Sequence, residues 1–423
     1  MSIDGRDSTE VNAFNLRSRL ALSTRTTPPT LYCPFPSRVN PYASLIDGRT
    51  VDWAWSVGLV DESRATRLRG SRIGWLVSRA FPDAQVFPLQ LAADWTTLFC
   101  LLDDGTEKID EPLQLERYLH TMLEVFRGRV VPEFDDEMGQ AFEDLGRRMR
   151  EETPPEWLAG FTQRLIELFN GFQAEANGRA QLLIPKLEEY LKIREVTVGL
   201  YVEFEFGALT NGIVVPRSVQ QNLIFKRLVQ HACNIVGWAN DIYTYKKEIM
   251  AGEVHNLIVV AMRERGLSLD EAVDWAVDLH DTETRLFERL LGKLPSFGPE
   301  IDAQVKAYAG MLTAWVRGHL DWAHETGRYV TADGNPPSSK RWQSFMAAQM
   351  ASGTMPFSDM AVPSSRRMSL SSLADALMPT DPSIPSPSSR RMSLASLADV
   401  VLPPPDSNPE SEPARSSRSS VVD

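Results

Sequence analysis

The sequence predicts an all-α fold, and three observations carry that prediction. Long stretches such as RLIELFNGFQAEANGRAQLLIPKLEEYLKIREVTVGLYVEF and NLIFKRLVQHACNIVGWANDIYTYKKEIM place apolar residues at three- and four-residue steps, the repeat of one helix face. Alternating apolar and polar runs of the kind a half-buried strand needs are scarce. The periodic stretches are separated by ETPPEW and LPSFGPE and closed by ADGNPP, whose prolines and glycines end helices. A chain of 423 residues can bury a large core, and the periodic region, 31–335, predicts one domain of about ten helices.

Ahead of that domain, residues 1–30 are polar, rich in Ser, Thr and Arg, and close on TTPP, which predicts a flexible arm. The first residues, MSIDGRDSTEVNAF, carry acidic groups and no apolar core, so they do not form a secretory signal. No later run reaches the roughly 20 apolar residues of a membrane span. Three cysteines, Cys33, Cys100 and Cys233, lie far apart without a CxxC pair, which argues against a zinc site or a disulfide framework and fits the cytoplasm. A formal charge of -12 disfavours nucleic acid as a partner, because phosphate contacts need basic patches.

Along the domain, the run WTTLFCLLDDGTEK is an apolar helix ending in Asp103, Asp104 and Glu107. Carboxylates so clustered repel one another unless they share a cation. Gly105, inside the cluster, is expected to loosen that helix end. In EFDDEMG, by contrast, Gly139 stands where a further acid would be and no apolar helix precedes Asp135 and Asp136, so this pair reads as solvated surface. Further on, Arg194 interrupts the otherwise buried helix YLKIREVTVGLYVEF. A buried Arg needs a partner, either a nearby acid such as Glu195 or the oxygens of a bound phosphate. Thr197, Val198 and Gly199 are poor helix formers and predict a break there.

In NDIYTYKKE, Asn240, Thr244 and Glu248 follow one another at one helical turn, about 6 Å along the axis each time. They form a stripe of amide, hydroxyl and carboxylate oxygens, hard donors that suit Mg²⁺. The same stripe also fits the solvated face of an amphipathic helix. Lys247 lies close to the stripe, while Lys246 is about 100° away around the helix and is expected to face solvent. The domain closes on GHLDWAHETGRYV, with Arg328 and Tyr329 after a tryptophan-bearing helix.

Taken together these elements resemble the class I terpene synthases, particularly the single-domain microbial terpene cyclases, from about Pro34 to Tyr329. DDGTE is similar to the family's aspartate-rich motif, NDIYTYKKE to its second metal motif, Arg194 to its diphosphate-sensing arginine, and Arg328-Tyr329 to its closing RY pair. Glu107 stands where the first motif can carry Asp. The resemblance implies a helical bundle around a central cavity and a trinuclear Mg²⁺ site, with Asp103 and Glu107 on one side and Asn240, Thr244 and Glu248 on the other. It also implies that Arg194, Lys247, Arg328 and Tyr329 bind the diphosphate of an acyclic prenyl substrate.

On that resemblance the expected reaction is ionisation and cyclisation of a prenyl diphosphate, with farnesyl diphosphate and a sesquiterpene product favoured by analogy. A monoterpene or diterpene cyclase, an isoprenyl chain-elongating enzyme and a non-catalytic helical scaffold are the alternatives. A free carbocation needs a dry, aromatic-lined pocket. Phe99 and Trp95, one and two turns before Asp103, should point into it with Val198 and Gly199, and Trp315 and Trp322 should form the opposite wall; each also fits plain core packing. A homodimer is compatible with the resemblance.

Beyond the domain, residues 336–423 are rich in Pro and Ser, with no aromatic residue after Phe357, a disordered-tail composition. Two copies of SSRRMSLxSLAD start at Ser364 and Ser388, too few for a solenoid. Each offers an RRMS site for phosphorylation, at Ser369 and Ser393. The first is followed by Leu370, Leu373, Leu377 and Met378 on one face, which would suit docking to a partner.

Overall fold

The structure, a computed structural model, describes Ser23, Arg25 and residues 27–109, 111–131, 136–181, 184–251 and 253–329. All of them fall within one compact unit, Met1–Met360. The second unit, Ala361–Asp423, lies outside the described residues, as do Ser369, Ser393 and both copies of the repeat.

Among the described residues there are fifteen α-helices and no strand: α1 Ala43–Ser56, α2 Glu62–Ser71, α3 Ile73–Ala80, α4 Val86–Thr106, α5 Pro112–Phe126, α6 Glu137–Glu152, α7 Pro155–Ala180, α8 Leu187–Thr197, α9 Leu200–Glu203, α10 Phe206–Asn211, α11 Arg217–Gln220, α12 Leu223–Ala251, α13 Leu257–Arg265, α14 Leu269–Leu291 and α15 Pro299–Ala323. A 3-10 turn, Gly327–Tyr329, follows. The number exceeds the ten or so expected because several periodic stretches are cut into pieces by tertiary contacts. Arg72, in the left-handed region at φ 54°, divides α2 from α3. The Ser71 carbonyl freed there accepts from Trp322 Nε1 at 2.9 Å and Thr326 Oγ1 at 2.8 Å, and the Arg72 carbonyl accepts from Trp322 Nε1 at 2.9 Å.

Two helices are apolar nearly all round and are therefore the buried ones. In α4 the buried set runs through Leu89, Leu91, Trp95, Leu98 and Leu102. In α12 it runs through Leu228, Cys233, Val236, Trp238 and Ile242. Around α12 pack α8, α13, α14 and α15, while α4 is covered by α1, α3, α6 and α10. One face of α4 ends in a nest of rings: Trp95 meets Phe161 edge-on at 5.1 Å and Phe142 at 6.4 Å, and Phe161 meets Phe206 at 5.5 Å. Burying each such large apolar side chain stabilises the fold by roughly 1.5–3 kcal/mol, which holds the two site-bearing helices in fixed register. Among the described residues no helix is long and apolar enough to cross a membrane.

Local signals set the other boundaries. Asp136 caps α6 by accepting from Met138 N at 2.6 Å, a reason for this acid that is neither metal nor mere solvation. Its neighbour Asp135 lies outside the described residues. Ser268 and Glu271 form a capping box at the start of α14. Against expectation, Gly105 does not loosen its helix: α4 continues through it to Thr106, whose hydroxyl donates to the Asp103 carbonyl at 3.0 Å.

Candidate active site

Four parts of the chain converge at one end of the bundle: the last turn of α4, the C-terminal half of α12, the end of α8 and the 3-10 turn. Arg328 donates from both terminal nitrogens to Asp104, Nη1 to Oδ2 and Nη2 to Oδ1, each at 2.9 Å. Nη2 also donates to the Cys100 carbonyl at 3.3 Å, so the arginine straddles the end of α4. The next residue, Tyr329, accepts from Asn240 Nδ2 at 2.8 Å. The RY pair thus touches both oxygen-rich motifs, Arg328 on the first and Tyr329 on the second.

Asn240 is bonded from its other side by Arg194, whose Nη2 donates to Oδ1 at 2.7 Å. Arg194 Nε donates to Asp241 Oδ1 at 3.1 Å. The acid partner that its burial demanded is therefore Asp241, not Glu195, which instead accepts from Tyr201 Oη and Gln230 Nε2. Asp241 also accepts from the Tyr190 hydroxyl and from Leu257 N at 3.1 Å. Burial would lower the Arg194 pKa, but the facing Asp241 outweighs it, and the guanidinium is held firmly charged.

One turn on, Thr244 Oγ1 donates to the Asn240 carbonyl at 2.8 Å, which leaves its lone pairs for another ligand. After a further turn, Glu248 Oε2 accepts from Asn256 Nδ2 at 2.8 Å. Asn256 is the N-cap of α13 and also donates to the Asp241 carbonyl at 3.0 Å. Lys247 Nζ lies 3.9 Å from Asp104 Oδ1, so Asp104 gathers two cations, Arg328 and Lys247. Lys246 points away from these groups, but to the chain rather than to open solvent: it donates to the Arg25 carbonyl at 2.7 Å.

The carboxylates of the two motifs sense one another. Burial, then Asp104 and Glu175, push Asp103 up to about 7. Glu107 is raised by burial and then by Asp103, Glu253 and Glu248. Burial and then Asp241 push Glu248 up to about 7. Half-buried carboxylates with such mutual repulsion are short of positive charge, which is the environment a hard divalent cation relieves. Hard oxygen donors from Asp103, Glu107, Asn240, Thr244 and Glu248 therefore fit a metal of the Mg²⁺ type. Among the described residues no three His, Cys, Asp or Glu side chains enclose an ion by themselves, which suits a metal that completes its shell with water or phosphate oxygens.

Below the motifs, Val198 and Gly199 form the predicted break between α8 and α9. Gly199 sits at φ 80°, and a Cβ there would fall 2.5 Å from Phe99 Cζ. Phe99 stacks between Trp95 at 6.5 Å and Phe172 at 6.4 Å. Val198 packs against Gly237 of α12. On α15, Trp315 meets Phe81 and Phe204 edge-on. The indole N–H of Trp322 is taken by the Ser71 and Arg72 carbonyls, and its ring packs edge-on against Tyr329 at 5.3 Å, so this residue braces the closing turn. Outside the mouth runs a cleft of about 1020 Å³, lined by Asp104, Lys247 and Arg328 and by the further cations Arg64, Arg67 and Lys108. None of the six predicted pocket residues lines it.

Sequence reading placed Asp104 only within the carboxylate cluster, not as the partner of Arg328 and Lys247, and it assigned no roles to Tyr190 or Asn256. Asn256, directly before the apolar run LIVVAM, carries a helix N-cap signature, but nothing local indicates that its amide reaches Glu248.

The family described as "Terpene synthase family 2, C-terminal metal binding" matches residues 94–285, which include both motifs and Arg194. A germacrene A synthase of Nostoc punctiforme is 30% identical over 305 residues, covering 71% of this chain and 94% of that protein. A (+)-T-muurolol synthase of Roseiflexus castenholzii, named as cyclising (2E,6E)-farnesyl diphosphate, is 31% identical over 303 residues, covering 71% of this chain and 93% of its own length. Among solved structures, germacradien-4-ol synthase from Streptomyces citricolor aligns with a TM-score of 0.62 at 26% identity, over 71% of this chain and 99% of that one.

Proposed function

This chain belongs to the terpene synthase family, and on that premise we propose that it is a Mg²⁺-dependent sesquiterpene cyclase that ionises farnesyl diphosphate, folds the resulting cation into a ring system and releases diphosphate. The observation that carries the reading is the double engagement of the RY turn, with Arg328 on the end of α4 and Tyr329 on Asn240 of α12. The choice of a fifteen-carbon substrate is supported by relatives named for sesquiterpene products.

Asp103 and Glu107 would hold Mg²⁺ from α4, and Asn240, Thr244 and Glu248 from α12, with three ions per site expected. When bound, the metal supplies positive charge beside the diphosphate and so favours loss of that group from the allylic carbon. The chain's own residues do the rest. Arg194 is oriented by Asp241 and Tyr190, so its guanidinium is preorganised to meet a diphosphate oxygen rather than needing to be ordered by it. Arg328 and Lys247, both paired to Asp104, offer N–H donors to the same anion. As the C–O bond breaks, its electron pair leaves with the diphosphate, and these cations stabilise charge where it develops.

The allylic cation is left facing apolar side chains. On this reading Phe99, Trp95, Val198, Gly199 and Trp315 would surround the chain below the motifs, where ring faces stabilise the passing charge. The RY turn, braced by Trp322, closes the mouth against water. The tail, with Ser369 and Ser393, takes no part in this reading.

The test is diphosphate release from farnesyl diphosphate by the purified protein, with Mg²⁺ and with a chelator. Release that needs Mg²⁺ and is lost in Glu248→Ala supports the reading. Release that survives either change contradicts it.

A further inference from the structure

Among the described residues, one buried carboxylate oxygen has no hydrogen-bond partner: Oε2 of Glu203. The other buried acids are committed. Asp94 is bonded by Arg148 and Gln90, Glu283 by His231 and Asn234, and Asp241 by Arg194 and Tyr190. Glu203 is 2% exposed, and its single side-chain partner is Thr96, whose Oγ1 lies 2.9 Å from Oε1. That hydroxyl also lies 2.8 Å from the Ala92 carbonyl, and its one hydrogen serves only one acceptor at a time. With Thr96 donating to Ala92, the remaining arrangement is a protonated Glu203 donating to Thr96 or keeping its proton on Oε2.

The position matters as much as the chemistry. Thr96, Cys100 and Asp103 follow one stripe of α4, so Thr96 lies about 11 Å below the metal motif at 1.5 Å per residue. Glu203 ends α9, which starts at the Gly199 break that rests on Phe99. Its neighbour Phe204 meets Trp315 from α15. The indole nitrogens of Trp95 and Trp315 are likewise buried without a partner. Unpartnered polar atoms thus recur on α4, α9 and α15, and on the cyclase reading this is where the hydrocarbon of a prenyl substrate would lie.

We propose that Glu203 is a proton-transfer group of the cyclisation, acting on a neutral cyclic alkene formed when the first cyclic cation gives up a proton to the departed diphosphate; this rests on the cyclase reading above. The Oε2–H bond breaks and its electron pair stays on the carboxylate. The alkene's π pair forms the new C–H bond, and the adjacent carbon becomes cationic. After rearrangement the carboxylate removes a proton from a carbon beside the cation, the C–H pair becomes the product's double bond, and Glu203 regains a hydrogen that exchanges with solvent once the product has left. Burial pushes its pKa up to about 8, against a smaller opposing effect of the Thr96 hydrogen bond, so the proton is present at neutral pH. Cys100 is the titratable neighbour that senses it, and no salt bridge to Glu203 occurs among the described residues. An ionised acid would be trapped by the first cation it met, whereas a neutral one survives the ionisation step.

The experiment is turnover of farnesyl diphosphate with Mg²⁺ in D₂O, with product deuterium and diphosphate release both measured. The wild-type product should carry solvent deuterium on carbon. In Glu203→Gln, which keeps the shape and the Thr96 contact, the labelled product should fall on the order of 10²-fold or more, with diphosphate release falling far less and an unlabelled, earlier hydrocarbon taking its place. Glu203→Asp should recover part of the label. A wild-type product without solvent deuterium overturns the proposal whether or not any variant folds. An unchanged labelled product from Glu203→Gln overturns it as well. Absence of diphosphate release from the wild type would instead sink the cyclase reading on which it stands.

Discussion

Asn240 and Asp241 are adjacent, yet they face different tasks. Asn240 lies between Arg194 and Tyr329 at the mouth, while Asp241 is 1% exposed and neutralises Arg194 from beneath. Asn240→Ala should therefore reduce turnover on the order of 10²- to 10³-fold, as removal of a transition-state-directed polar group does, with a stability cost of about 1–2 kcal/mol. Asp241→Ala leaves the half-buried Arg194 guanidinium without its carboxylate and should cost about 2–4 kcal/mol of stability. Urea melts beside initial rates separate the two, and the reverse pattern would refute these assignments. The helical spacing of NDIYTYKKE already told these neighbours apart, because Asp241 falls off the stripe. The pair Asp103 and Asp104 was not separable in that way. Which of the two meets Arg328 depends on a contact spanning 224 residues, and nothing local to DDGTE encodes it.

At the scale of elements, the α8–α9 break is the feature that positions the most. Gly199 at φ 80° lets the chain turn while Phe99 presses against it. Gly199→Ala should cost about 1–3 kcal/mol from backbone strain alone, with further loss from the clash, and should change the product profile through displacement of Phe99. Melting temperature and product analysis check this; a neutral, product-preserving variant would mean that the contact is incidental. The break was legible because Thr-Val-Gly is a poor helical sequence. The division of α2 from α3 was not, since Arg72 adopts a conformation that few L residues favour and the carbonyls around it are satisfied from distant α15. Trp322 was expected at the pocket for the same reason: its spacing was visible, but the carbonyls that capture its indole N–H were not.

For the whole molecule, the facing carboxylates tie stability to pH and to metal. Asp103 and Glu248 are both pushed up to about 7 from ordinary carboxylate values by burial and neighbouring charge. The folded state then binds more protons than the unfolded chain between their ordinary pKa values and about 7. Stability should fall in the metal-free protein as pH rises through that window. Mg²⁺ with inorganic pyrophosphate should therefore raise the melting temperature more at pH 8 than at pH 5. An equal or opposite shift would show that these carboxylates do not hold the cation. Every residue assigned to the site falls between Trp95 and Tyr329, so deleting residues 358–423 should leave turnover unchanged.

The most direct measurement is gas-chromatographic product analysis after the purified protein and Mg²⁺ are given geranyl, farnesyl and geranylgeranyl diphosphate in parallel. A cyclic fifteen-carbon hydrocarbon or alcohol from farnesyl diphosphate, formed in preference to products of the other two, is the predicted result. A folded sample that yields no cyclic product from any of the three, or that lengthens the chain instead, would contradict the account.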